Sequence, residues 1–198
     1  MNALLQRRHA LSAIATLLAL PVIAQPAAKP AAPSHDPFGP LRPPLPAPRL
    51  SLTADDGKPF ELADRLRGRI TALQLMFTGC SATCPIQGAL FGAVAPLLAG
   101  QREMQLLSLS IDPLGDSPQA LRAWLTRFGT HANWRAALPR VEDVDRLLDF
   151  VRGRAAGADR HTAQVYLFDR QARLAYRTAD MPPARFVADT MGELSRMA

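Results

Sequence analysis

Ile70 to Phe77 (ITALQLMF) is a continuous apolar run of strand length, and it constrains the fold more than any other segment of this chain. A run of that kind belongs to a strand covered on both faces, which an open antiparallel ribbon cannot supply. It delivers the chain through Thr78 and Gly79 to Cys80, and Pro85 then opens a segment to Leu98 whose apolar residues recur with helical spacing. Proline suits a first helical turn because its missing N–H is no loss there. The two cysteines, Cys80 and Cys84, are the only ones in the sequence, and both fall in the turn from strand to helix.

The remaining elements follow from pattern and punctuation. Leu50 to Thr53 and Phe60 to Leu62 predict a hairpin around Asp55-Asp56-Gly57. Met104 to Ile111 predicts a second buried strand, stopped by Asp112-Pro113. Ser117-Pro118 then caps and opens a helix to about Phe128. Val141 to Val151 carries one helical face through positions 144, 147, 148 and 151. Thr162 to Phe168 and Arg173 to Tyr176 predict a hairpin, and Pro183 to Met197 a closing helix. One weaker strand is expected between the second and third of these four helices. Alternation followed by a terminal hairpin and helix describes a single α/β domain with a mixed sheet.

Residues 1–24 have the pattern of an export signal: Arg7 and Arg8, an apolar stretch, and the small residues Val22 and Ala24 before a cut. The apolar stretch of about 15 residues is short for a bilayer span, which favours cleavage over an uncleaved anchor. The arginine pair also fits a twin-arginine signal. Residues 25–49 are rich in proline and alanine and predict an extended tether, so the folded domain is expected to occupy 50–198. His35 in that tether is read as a solvated, idle histidine. The formal charge is +6, and the leader's two arginines account for +2 of it. The remaining arginines are scattered without a basic run or interleaved aromatics, which argues against nucleic acid as a partner.

For the cysteine pair, composition leaves three uses open: a soft metal clamp, a reversible redox couple or a small structural disulfide. So short a loop removes little unfolded-state entropy when closed, which counts against the purely structural use. A helix N-terminus favours thiolates, as ligands and as nucleophiles. Soft thiolates select Cu(I), and an added imidazole admits Cu(II). Structural zinc would require four ligands at short spacings, which the sequence does not show. The methionines are dispersed through predicted core elements and form no copper-binding box.

Phe77-Thr78-Gly79-Cys80-Ser81-Ala82-Thr83-Cys84-Pro85 is similar to the FTxCPxxCP segment of the SCO/SenC family. Ser108 to Pro113 with Asp116-Ser117-Pro118, and His161-Thr162 with Tyr166-Leu167 and Asp169, resemble two further passages of that family. The resemblance covers about Leu50 to Met197 and implies a thioredoxin-like mixed sheet flanked by helices. It also implies a copper site of Cys80, Cys84 and His161 and a role as an envelope copper chaperone. Such a protein would sit in the periplasm or at the outer face of the cytoplasmic membrane, with a cytochrome c oxidase subunit as the copper-accepting partner. The rival reading is a thiol-disulfide oxidoreductase that uses Cys80 and Cys84 as its catalytic redox pair, served by a thiol reductant, to reduce a metal-site target. The C-x-x-x-C spacing is one residue longer than the usual redox loop, and a redox enzyme has no need of His161. A peroxidase-like thiol enzyme would require a threonine and an arginine beside an activated cysteine. Thr78 supplies the first, and the sequence places no arginine. Three departures from the family pattern stand out: Ser81 where proline is usual, Arg160 where aspartate commonly precedes the histidine, and Gln164 within an apolar strand.

Overall fold

A computed structural model describes residues 38–156 and 160–197. The central strand, β4 (Ile70–Met76), is buried at all seven positions, as its apolar run requires. It pairs in parallel with β5 (Met104–Ser110) along its whole length, Ile70 opposite Met104 and Met76 opposite Ser110. On its other side it pairs antiparallel with β7 (Tyr166–Phe168). A parallel pair needs a crossover, and α2 (Thr83–Leu97) provides it. A second crossover through α3 (Pro118–Thr126) joins β5 to the parallel strand β6 (Trp134–Pro139), the weaker strand expected there. The expected hairpin forms as β2 (Ser51–Ala54) and β3 (Pro59–Glu61), and β2 extends the sheet by pairing with β6.

Side chains along β4 alternate between two cores. Ile70, Ala72 and Met76 join Phe91 of α2, Trp124 of α3, and Val187 and Met191 of α5 (Ala184–Met197). Leu73 and Leu75 join Leu62 and Leu66 of α1 (Leu62–Leu66) and Leu147, Leu148 and Val151 of α4 (Val144–Val151). The result is the expected layered α/β domain, a mixed sheet with helices on both faces. Several of its buried polar groups pair in place: Gln74 Nε2 and Trp134 Nε1 both donate to Ser108 Oγ at 2.9 Å, and Gln105 Nε2 donates to Thr71 Oγ1 at 2.9 Å.

The sheet has eight strands in the order β1-β8-β7-β4-β5-β6-β2-β3, and it departs from the sequence reading at three places. It begins inside the proline-rich segment, at β1 (Gly39–Pro46), which pairs antiparallel with β8 (Arg173–Arg177); the fold therefore does not start at Leu50. An edge strand needs hydrogen bonds on one side only, so prolines 40, 43, 44 and 46 are tolerated there. The strand expected from Thr162 is confined to Tyr166–Phe168, because the amides ahead of it bond elsewhere. Thr162 N donates to Gly153 O, Ala163 N to Asp180 Oδ1 and Val165 N to Thr178 Oγ1. Gln164 lies in this irregular approach and not in the strand. Helix α4 is preceded by a separate 3₁₀ turn, Val141–Asp143. Residues 1–24 and His35 lie outside the described residues. Among the described residues, no helix is long and apolar enough to cross a membrane.

Candidate thiol and imidazole site

Strand β4 ends at Met76, and the chain turns at once, with Cys80 N donating to Phe77 O at 3.2 Å. Helix α2 begins at Thr83 with no side-chain cap from Ala82. One of its orphan amides is satisfied by sulfur: Cys84 N donates to Cys80 Sγ at 3.3 Å. Cys80 therefore faces the positive end of α2 and is half-buried, while Cys84, one residue into the helix, is fully buried in the core against Met76 and Phe91. Serine at position 81 and alanine at 82 leave the intervening loop exposed.

His161 arrives from the other side of β4. A single antiparallel bridge between Arg154 and His161 sets its backbone, and the bond from Thr162 N to Gly153 O fixes the next residue. Its Nδ1 lies 2.8 Å from Thr162 O. A carbonyl oxygen can only accept, so Nδ1 carries the proton and Nε2 keeps its lone pair in the neutral ring. That Nε2 stands 3.6 Å from Cys84 Sγ, joining side chains 77 residues apart. The edge of the pair is closed by Phe77, whose ring meets the imidazole at 6.1 Å and 87°. His161 is 2% exposed, so both members of the pair are shielded from bulk water.

Two of the three sequence-predicted donors are thus brought together, and the third sits on the adjoining turn. Among the described residues no three His, Cys, Asp or Glu side chains stand as a ready three-donor cluster; the Cys80 sulfur accepts from the Cys84 amide. His131 is at the far end of the sheet: it precedes β6 at the N-terminal edge of the parallel strands and stacks on Trp134 at 6.4 Å.

Asp116 is the residue whose role the sequence concealed. Standing before Ser117-Pro118, it looks like part of a turn and cap, yet Ser117 alone caps α3, accepting from Ala120 N at 3.2 Å. Asp116 instead holds the base of the cysteine turn. Its Oδ1 accepts from Thr78 N at 3.1 Å and Thr78 Oγ1 at 2.5 Å, and its Oδ2 accepts from Ser110 Oγ at 2.6 Å. Ser110 Oγ in turn accepts from Asp112 N at 3.0 Å. With its hydroxyl donated to Asp116, Thr78 is not presented to Cys80 in the way a peroxidase-like site would require. No local pattern could have revealed a bond across 38 residues.

A strand-to-helix turn carrying two sulfurs, met by an imidazole from the approach to an antiparallel strand, defines a thioredoxin-like protein with a mixed thiol and imidazole site. A model of the SCO1/SenC family matches residues 44–195, and the chain belongs to that family. Among solved structures, a SCO1/SenC family lipoprotein from Bacillus anthracis superposes with a TM-score of 0.68 at 23% identity, over 78% of this chain and 99% of that one. Yeast Sco1 with copper bound gives 0.66 at 20% identity, over 78% and 91%. BsSco, described as having a disulfide switch and as a member of the Sco family of cytochrome c oxidase assembly proteins, gives 0.68 at 17% identity, over 80% and 97%. No curated protein sequence matches the chain.

Proposed function

We propose that this protein is a copper chaperone of the cell envelope that holds copper through Cys80, Cys84 and His161 and delivers it to, or prepares, the copper centre of a cytochrome c oxidase. The observation that carries the reading is the 3.6 Å approach of Cys84 Sγ to His161 Nε2, the nitrogen that bears the lone pair when the ring is neutral and Nδ1 donates to Thr162 O. Two thiolates and an imidazole are a donor set that suits copper in either oxidation state. The hydrogen bond from Nδ1 to Thr162 O orients the ring as an outer partner of a metal ligand does. The third donor, Cys80, stands on the adjoining turn with its sulfur accepting from the Cys84 amide, and on this reading its side chain turns toward the pair when copper binds. Of the residues between the two cysteines, Ser81 and Ala82 are exposed. Copper bound to relatives such as yeast Sco1, and the assembly role of the BsSco family, support the same cargo and acceptor.

Exposure sets the order of release. Cys80 is half-buried, while Cys84 and His161 are enclosed, so an incoming acceptor thiolate displaces Cys80 first. A leader with an export pattern supports an envelope location, in the periplasm or at the outer face of the cytoplasmic membrane.

One observation favours the oxidoreductase as second reading: Cys80 Sγ is both accessible and held by a helix amide, as an attacking thiolate should be. Its thiolate would attack a target disulfide and release one target thiolate. Cys84 would then displace the second, leaving an oxidised Cys80–Cys84 pair for a thiol reductant to restore. Anaerobic Cu(I) titration separates the two. The copper reading expects about one Cu(I) per reduced chain, with affinity lowered at least tenfold in His161→Ala while dithiol oxidation is unaffected. A wild-type protein that takes up no copper yet reduces disulfides catalytically refutes it.

A further inference from the structure

Arg160 immediately precedes the imidazole and adopts a left-handed backbone with φ of 58°. Its carbonyl accepts from Ala155 N at 3.2 Å, which anchors the turn, and its guanidinium carbon lies 5.7 Å above the Phe77 ring. The same ring meets His161 edge-on at 6.1 Å. The cation is therefore about 12 Å at most from the imidazole, seated on the aromatic side chain that encloses it. It is exposed and makes no ion pair among the described residues, whereas nearby Arg154 is engaged by Asp145 and Asp149.

We infer that Arg160 is a specificity residue that biases this site toward Cu(I) over Cu(II). The inference rests on the copper reading above and follows from charge. Two thiolates and a neutral imidazole around Cu(I) carry a net charge of −1, and around Cu(II) they are neutral. A fixed cation at the mouth stabilises the first and leaves the second nearly unaffected. At this separation, with the guanidinium exposed to solvent, one unit charge changes the ratio of affinities about twofold at low salt. The family's common aspartate at this position would act in the opposite sense. Arg160 does not touch the metal; it acts through the field at the site and through the Phe77 ring that frames it.

The experiment compares wild type with Arg160→Gln, Arg160→Glu and Arg160→Lys, measuring Cu(I) and Cu(II) affinities separately by competition with chelators, at low and high salt. Expected is a ratio of Cu(I) to Cu(II) affinity lower by about twofold in Arg160→Gln, a larger fall in Arg160→Glu, and near wild-type behaviour in Arg160→Lys. Raising the salt should shrink these differences. Metal-free reduced protein supplies an independent readout: the rate of Cys80 alkylation by anionic iodoacetate relative to neutral iodoacetamide should fall in the glutamine and glutamate variants. Equal losses for both ions, or an unchanged alkylation ratio, overturn the role of Arg160 while leaving the copper reading intact. A wild-type chain that binds neither ion overturns both.

Discussion

Replacing Asp116 by alanine removes the acceptor for three donors at once: Thr78 N, Thr78 Oγ1 and Ser110 Oγ. Hydrogen bonds to an ionised group contribute about 1.5–3 kcal/mol each when buried. Asp116 is only half-buried, so water recovers much of that, and a net loss of about 2–3 kcal/mol is the reasonable sum. For a domain of this size the loss corresponds to a melting temperature lower by about 4–12 °C. The functional effect should be larger than for a surface substitution of equal cost, because Thr78 is two residues from Cys80 and the brace fixes where the cysteine turn leaves β4. A Cu(I) affinity reduced about tenfold is expected. Calorimetry and anaerobic chelator competition, run on wild type, Asp116→Ala and Asp116→Asn, test both parts. The asparagine retains an oxygen for the Thr78 amide and should recover part of each loss. If Asp116→Ala melts within about a degree of wild type and binds Cu(I) equally well, the brace is incidental and the reasoning fails.

Two other substitutions test the scaffold away from the site. Ser117→Ala removes the cap of α3 and should lower stability by about 1 kcal/mol in urea unfolding, with copper stoichiometry unchanged; an unshifted midpoint would show that the proline alone starts the helix. The Asp56 carboxyl is held below its ordinary range, first by the Lys58 amide and then by Arg135. A lowered carboxyl contributes stability above its ordinary pKa and loses that contribution as the pH falls through the lowered value. Asp56→Asn should therefore be less stable than wild type near neutrality and converge with it in strong acid. A gap that persists at the acid end would assign the effect to shape and not to charge.

The departures at 81 and 160 flank the same site. Ser81 lies on the exposed turn that carries Cys80, and Arg160 places a positive charge over the Phe77 ring that meets His161. Neither touches the pairing of Cys84 with His161, which depends on the sheet beneath it.

Much of this arrangement is local and was readable from the chain alone. The apolar run of Ile70 to Phe77, the helical spacing after Pro85 and the Ser117-Pro118 cap each encode their element through near neighbours, so periodicity and turn chemistry located them. The cysteine pair was equally plain, being four residues apart at a strand-to-helix junction. What the fold alone decided involves residues far apart in sequence. The proline-rich stretch from Gly39 joined the sheet because an edge position beside β8 was open to it. The approach to β7 stayed irregular because Gly153, Thr178 and Asp180 took its amides. Asp116 found Thr78, and Cys84 found His161, only once β4 was flanked by β5 and β7. Bonds of that kind leave no periodic trace, since the distance that matters lies across the sheet and not along the chain.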